Sequence, residues 1–145
     1  MTDDELKALA DQFDGFVPVY ANYMKTCIAS VHLSLTQLNA LRAIGDDEPV
    51  TMAVIAKALR LTPYAVTKIV DALEKELLVE RSPHPTDRRA INVSLTAVGR
   101  EFLEAGMKER KNALNSMLGD LTSEERSALN HILGKLTQRI ADSQS

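Results

Sequence analysis

The sequence is poor in cysteine, aromatic residues and long apolar runs. Cys27 is the only cysteine among 145 residues, which excludes an intrachain disulfide framework. Tryptophan is absent and aromatic residues make up 4% of the chain, so Leu, Ala, Val and Ile must supply most of the core. No apolar run approaches the roughly 18–20 residues that a membrane span requires, and the acidic first residues do not resemble a secretory signal. A soluble, reduced, cytoplasmic protein is therefore expected.

Charge is unevenly distributed along the chain. The formal net charge is −3, which by itself argues against binding to a polyanion. Residues 54–100, however, carry eight basic and five acidic side chains, whereas the remaining residues carry nine basic and 15 acidic ones. The middle of the chain is thus locally positive, as a surface that meets nucleic acid would be.

Long amphipathic helices are predicted at both ends of the sequence. Apolar residues spaced by three or four predict a helix over residues 3–31, which Pro18 should kink or divide into two abutting helices. Thr96 is the expected N-cap of a helix over 97–118, and Thr122 begins the last helix. Little chain remains to cover these helices, so they are expected to pack against a second subunit.

Three shorter helices are predicted between the N-terminal helix and a hairpin. The first covers residues 34–45, with Thr36 as N-cap and Gly45 as C-terminal stop. Thr51 should cap the second, over 50–61. The third follows Thr62, with Pro63 at a position where a missing N–H costs little. The last two form a helix-turn-helix, whose second helix places polar and basic side chains on its outward face: Tyr64, Thr67, Lys68, Asp71 and Lys75.

A β-hairpin is predicted after these helices, from strands over residues 78–82 and 90–95. Ile91, Val93 and Leu95 alternate with polar residues and should form the buried face. Proline residues force a protruding loop between the strands. In extended backbone Asp87 and Arg89 would share a side, so the carboxylate could pair with the guanidinium and aim it at a minor groove. Arg88 would point elsewhere, towards phosphate.

Two stretches of the sequence resemble a known family. The stretches "LTQLNALRAI" and "IAKALRLTPYAVTKIVDALEKELLVERSPHPTDRRAINVSLTAVGRE" are similar to MarR (multiple-antibiotic-resistance regulator) transcription factors. The resemblance covers residues 34–104 at the level of motifs and the whole chain in the order of elements. It implies a mainly α fold with a small β-hairpin, in one domain over residues 1–145. Residues 34–96 would form a winged helix-turn-helix, and residues 1–33 and 97–145 a helical dimerisation region.

The resemblance also implies a function. The chain would be a sequence-specific transcriptional regulator, a repressor, which binds a pseudo-palindromic operator in double-stranded DNA as a homodimer. A small phenolic or aromatic effector, or an oxidant, would release it. Taken together with the local patterns, the expected DNA-binding residues are Thr51, Thr62, Pro63, Tyr64, Ala65, Thr67, Lys68, Arg81, His84, Asp87, Arg88 and Arg89. The sequence departs from the family at Leu77, where glycine usually ends the recognition helix, and this raises the question of how the hairpin is angled.

Other interpretations stay open. The candidate effector pocket is the aromatic stripe Phe13, Phe16, Tyr20, Tyr23 and Met24, although such a stripe is also typical of a core. Cys27 could be a thiol-based redox sensor or simply a small buried apolar residue. A winged helix could also serve as a protein-interaction module without a DNA target. The sequence has no metal-ligand spacing, nucleophile arrangement or phosphate-binding loop, so no metal, cofactor or enzymatic activity is expected.

Overall fold

The computed structural model describes residues 1–46 and 48–144, and the chain separates into two units, residues 1–110 and 111–145. The helices are α1 (Asp3–Ala29), α2 (Leu35–Asp46), α3 (Met52–Leu59), α4 (Pro63–Lys75), α5 (Ala97–Leu118) and α6 (Ser123–Ser143). The strands are β1 (Val50–Thr51), β2 (Val79–Pro83) and β3 (Ile91–Leu95). This confirms the expected fold class, mainly α with a small β-hairpin.

Helix α1 continues through Pro18 without interruption. A capping box at Thr2 and Glu5 starts the helix, because the side chain of each residue accepts a hydrogen bond from the backbone N–H of the other. Division into two helices at Pro18, one of the two outcomes expected there, does not occur. Proline removes a single helical hydrogen bond, and the carbonyl that it frees, on Asp14, lies on an exposed stretch where water can replace the bond.

Helix α2 begins two residues earlier than its predicted cap implies. Ser34 Oγ accepts from the Gln37 N–H at 3.0 Å, and Gln37 Oε1 accepts from the Ser34 N–H at 2.9 Å. Ser34 is therefore the N-cap, and Thr36 lies inside the helix. Gly45 is also helical and does not stop α2. A Cβ there would lie 2.8 Å from Leu103, so this glycine serves close packing.

Strand β3 is the centre of an antiparallel sheet with the order β1-β3-β2. Val93 pairs with Val50 on one side and with Arg81 on the other. The predicted alternation is confirmed at Val93 and Leu95 but is wrong at Ile91, which is 43% exposed, while Asn92 is buried. The two-residue strand β1 reaches only as far as Asn92, so nothing in β1 pairs with Ile91. The sequence did not predict β1.

The core lies between α2, α3, α4 and the sheet. Its fully or almost fully buried side chains are Leu38, Leu41, Ile44, Ile55, Val66, Val70, Leu73, Val79 and Val93. Burying one such side chain contributes about 1.5–3 kcal/mol, so the orientation of α4 is strongly determined by its apolar face. The opposite face of α4 is thereby presented to solvent.

Leu77 ends α4 in the left-handed conformation that glycine usually supplies, with φ 64°. The Leu78 N–H donates to the Leu73 carbonyl and the Leu77 N–H to the Glu74 carbonyl, both at 2.9 Å, which is the Schellman pattern. Thr96 then fastens this turn, because its hydroxyl donates to the Leu77 carbonyl. Leucine in place of glycine therefore keeps the usual helix ending, at the cost of an unfavourable φ.

The terminal helices expose apolar side chains. On α1 these are Leu6, Leu9, Phe13, Phe16, Val17 and Val19, and on α6 they are Ile132, Leu133, Leu136 and Ile140. Thr96 and Thr122 cap α5 and α6 as predicted, Thr122 through a capping box with Glu125. Within the described residues no helix is long and apolar enough to cross a membrane.

Candidate nucleic-acid interface

The first two turns of α4 present a polar surface. Thr62 Oγ accepts from the Ala65 N–H at 3.2 Å and Pro63 occupies the first turn, both as predicted. Tyr64 is 70% exposed, and the Lys68 ammonium lies 4.8 Å from its ring centroid, within cation–π range. Thr67 is exposed and donates its hydroxyl proton to the Pro63 carbonyl, which leaves its oxygen free to accept. A ring, a cation and a hydroxyl thus project together from the start of this helix.

The far end of the same face is occupied by an ion-pair cluster. Arg81 of β2 pairs with Asp71 and, at 3.8 Å, with Glu74. The Arg81 side chain is 27% exposed and its charge is neutralised by two carboxylates from α4. Arg81, which the sequence predicts to contact DNA, thus also joins β2 to α4 through its guanidinium. The same pairs explain why acidic side chains are present on this face.

A histidine organises the loop between β2 and β3. His84 Nδ1 accepts from the Asp87 N–H at 3.0 Å and from the Thr86 N–H at 3.2 Å. The Ala90 N–H donates to the Asp87 carbonyl at 3.2 Å, which closes a tight turn over residues 87–90. The loop tip is therefore a folded turn and not an extended continuation of the strands.

This turn changes the expected relation between Asp87 and Arg89. Asp87 Oδ1 accepts from the backbone N–H of Arg89 at 2.9 Å. Among the described residues, no ion pair joins the Asp87 carboxylate to the Arg89 guanidinium. The sequence-based inference assumes extended backbone, in which residues i and i+2 share a side, whereas the turn brings the backbone amide to the carboxylate instead. Asp87 orients the main chain at Arg89, not its guanidinium.

The structure gathers seven of the predicted DNA-binding residues around one groove of about 600 Å³ between α3, α4 and the loop. They are Thr51, Pro63, Thr67, Arg81, His84, Asp87 and Arg89. Arg88 lines a different groove of about 410 Å³, so the two adjacent arginines face different surroundings. Tyr64 and Lys68 lie on the exposed face of α4. Met52, Ala53 and Ile91 also line the larger groove and are missed by sequence reasoning, which assigns Ile91 to the core.

The aromatic stripe of α1 is split by burial. Phe13 and Phe16 are about half exposed, and the Phe16 ring stacks on Tyr20 with centroids 5.7 Å apart. Met24 is fully buried in the core, where it cannot touch an effector unless α1 moves. Cys27 is half-buried. In the described part of the chain, no three His, Cys, Asp or Glu side chains are grouped as a metal site would need.

Comparison with known proteins agrees with this geometry. Residues 33–90, which contain α2, the helix-turn-helix and most of the hairpin, match the family model described as MarR family. Over these residues the chain is similar to the MarR family.

Curated relatives that match this chain are named as HTH-type transcriptional regulators. One from Mycobacterium tuberculosis is 32% identical over 93 residues, which cover 64% of this chain and 65% of the relative. The repressor MdtR of Bacillus subtilis is 34% identical over 89 residues, covering 61% of this chain and 57% of MdtR. The chain therefore spans less than two thirds of the length of these relatives.

Solved structures share the fold over nearly the whole chain. A MarR variant from E. coli in complex with operator DNA has a TM-score of 0.82 at 22% identity, covering 92% of this chain and 96% of that one. BpsR of Bordetella bronchiseptica has a TM-score of 0.78 at 23% identity, with coverages of 90% and 98%. YusO of Bacillus subtilis has a TM-score of 0.71 at 27% identity, with coverages of 95% and 99%.

Proposed function

We propose that this chain is a MarR-family regulator of transcription, a sequence-specific DNA-binding repressor that acts as a homodimer on a pseudo-palindromic operator in the cytoplasm. The observation that carries the proposal is the shared placement of the exposed face of α4 and the arginine-bearing loop around one groove. In E. coli MarR the same fold is found on operator DNA.

Helix α4 has the properties that a recognition helix needs. Its apolar face is buried, so the helix is rigidly seated, and its opposite face begins with Tyr64, Thr67 and Lys68. Side chains at the start of such a helix reach base edges when the helix enters a major groove. The exposed Thr67 oxygen and the Lys68 ammonium supply an acceptor and a donor, which are the groups that discriminate base pairs.

The loop between β2 and β3 has the properties of a wing. It protrudes from the sheet and carries Arg88 and Arg89 at its turn, both exposed. Arginine is the side chain that suits a narrow and strongly negative minor groove. Because these two arginines line different grooves of the protein, we assign Arg89 to the minor groove beside α4 and Arg88 to a phosphate.

Arg89→Ala tests this assignment. We expect the affinity for a duplex selected from a random pool by the wild-type protein to fall by about 1–3 kcal/mol, with a shallower dependence on salt. Arg42→Ala is the matched control, because it removes the same side chain from an exposed position on α2 that does not line the groove. Equal affinity of the Arg89 variant and the wild type in fluorescence anisotropy would sink the wing assignment. Failure of the wild type to select any duplex at low salt would favour a protein-interaction module.

The exposed apolar stripe of α1 supports a homodimer, and the exposed apolar stripe of α6 supports it independently. A contiguous apolar stripe on a water-soluble chain typically marks an interface. We expect a mass near twice 16.0 kDa by light scattering. Leu133→Lys should shift the mass towards the monomer, whereas Ser127→Lys, which adds the same charge on the opposite side of α6, should not. A monomeric wild type at micromolar concentration would exclude the dimer.

The effector is proposed by analogy with two similar proteins. In BpsR, DNA binding is regulated by 6-hydroxynicotinic acid, and NicR of Pseudomonas putida is named as a repressor. A small aromatic compound is the corresponding proposal here, with the exposed Phe13 and Phe16 as candidate contacts. A thermal-shift screen of phenolic and pyridine carboxylic acids, followed by DNA release, tests it. Oxidation of Cys27 by peroxide in the same release assay tests the redox alternative.

A further inference from the structure

The feature that DNA binding alone does not explain is the position of His84. Its ring lies at the end of β2 and its Nδ1 accepts two backbone N–H groups, from Thr86 at 3.2 Å and from Asp87 at 3.0 Å. A ring nitrogen accepts a hydrogen bond through its lone pair, so Nδ1 carries no proton in this geometry. From the sequence alone, His84 is only a candidate contact for phosphate or solvent.

A continuous series of hydrogen bonds connects His84 with the arginine of the wing. Asp87 donates its N–H to His84 Nδ1, and the Asp87 carboxylate accepts from the Arg89 N–H at 2.9 Å. The Asp87 carbonyl accepts from the Ala90 N–H and so closes the turn. Every one of these contacts is made by or to the main chain of the turn. The imidazole therefore sets the path of the backbone that carries Arg88 and Arg89.

We propose that His84 is a positioning residue of the wing: its unprotonated Nδ1 gathers two amides and fixes the turn from which Arg89 faces the groove beside α4. This inference rests on the proposed DNA-binding function. His84 contributes through Arg89, not through a contact of its own with a base or phosphate.

The surroundings of the ring contain few groups that could replace Nδ1 as acceptor. The parts of α3 and α4 that face the same groove contribute Met52, Ala53, Pro63 and Thr67, which are uncharged. The charged neighbours are Arg81, Asp87, Arg88 and Arg89, and Arg81 is itself paired with Asp71 and Glu74. Apart from Asp87, these charged neighbours are guanidinium groups, which only donate hydrogen bonds and so cannot accept from the two amides in place of Nδ1.

Two uncharged substitutions separate the acceptor from the bulk of the ring. In His84→Asn the side-chain oxygen can take the place of Nδ1 as acceptor, whereas His84→Leu keeps volume and provides no acceptor. In amide hydrogen exchange on the free protein, we expect Thr86 and Asp87 to be protected in the wild type and in the Asn variant and unprotected in the Leu variant. Equal protection in the Asn and Leu variants would overturn the proposal. Coincident thermal melts show that both variants are folded.

A double-mutant cycle with Arg89→Ala then measures the coupling. On a duplex selected by the wild-type protein at pH 8, removing Arg89 should weaken binding by about tenfold in the wild type and in the Asn variant. In the Leu variant the factor should approach one. An Arg89 factor that is the same in all three backgrounds overturns the positioning role alone, whereas absence of specific binding by the wild type overturns the proposed function itself.

Discussion

The Leu77→Gly variant tests directly whether leucine is an unfavourable residue at the end of α4. Leu77 has φ 64°, and its side chain is 71% exposed. Its backbone already makes the hydrogen bonds of a Schellman ending. Leu77→Gly should therefore relieve an unfavourable backbone conformation and lose little side-chain burial.

The expected magnitude follows from two opposing effects. A left-handed conformation costs an L-residue about 1–2 kcal/mol relative to glycine. Glycine makes the unfolded chain more flexible, which lowers stability by about 0.4–1 kcal/mol. The net expectation is a gain of about 0.5–1 kcal/mol in the free energy of unfolding. For a chain of this size, that corresponds to about 2 °C in melting temperature.

Urea unfolding at one fixed protein concentration measures this change, because association with a second subunit would make stability depend on concentration. Leu77→Ala is the control, since alanine retains the Cβ that makes this conformation unfavourable. We expect the alanine variant to be no more stable than the wild type. A glycine variant that is less stable than the alanine variant would refute the reasoning, because relief of the left-handed conformation would then not outweigh the added flexibility of the unfolded chain.

Three further changes test other parts of the structure. Ser34→Ala should lower the free energy of unfolding, measured by urea titration, by about 1 kcal/mol, because it removes the N-cap of α2. Thr36→Ala should lower it by much less, because Thr36 is not the cap. Gly99→Ala would drive a Cβ into the Leu78 carbonyl oxygen and should cost about 1–3 kcal/mol or prevent folding, whereas Gly134→Ala, with nothing within 4 Å, should be neutral or stabilising. Arg81→Gln leaves two carboxylates unpaired beside the groove that is proposed to face DNA. It should therefore weaken binding to a selected duplex by about 1 kcal/mol, and it should change the free energy of unfolding by less than about 1 kcal/mol. Equal stability of Ser34→Ala and Thr36→Ala would contradict the assignment of the cap. A fully stable Gly99→Ala variant would contradict the close approach to Leu78, and unchanged DNA affinity of Arg81→Gln in fluorescence anisotropy would contradict the effect of its ion pairs.

The features that the sequence predicts correctly arise from local chemistry. Thr51, Thr62, Thr96 and Thr122 are recognisable as caps because each bonds to a backbone N–H only three residues away. The same signal is present at Ser34, where a glutamine follows three residues later, although the prediction favours Thr36. The exposed and buried faces of α4 likewise follow from helical periodicity alone.

The remaining features depend on contacts between distant parts of the chain. Strand β1 has two residues and exists only because β3 pairs with it, so no local pattern could reveal it. Gly45 is wrongly predicted as a helix stop because its packing against Leu103 is not visible in the local sequence. The contacts of Arg81 and His84 are not visible in the local sequence, because those of Arg81 involve carboxylates of another element and those of His84 depend on the fold of a turn.

The ratio of two dissociation constants, for a selected and for a shuffled duplex, tests most directly the proposal that α4 and the wing together read DNA sequence. Dissociation constants are measured by fluorescence anisotropy at one physiological salt concentration for a duplex selected by the wild-type protein and for a shuffled duplex of the same composition. We predict that the selected duplex binds about a thousandfold more tightly or better, and that Tyr64→Ala combined with Arg89→Ala removes most of this difference. Equal affinity of the wild-type protein for the two duplexes would contradict the claim.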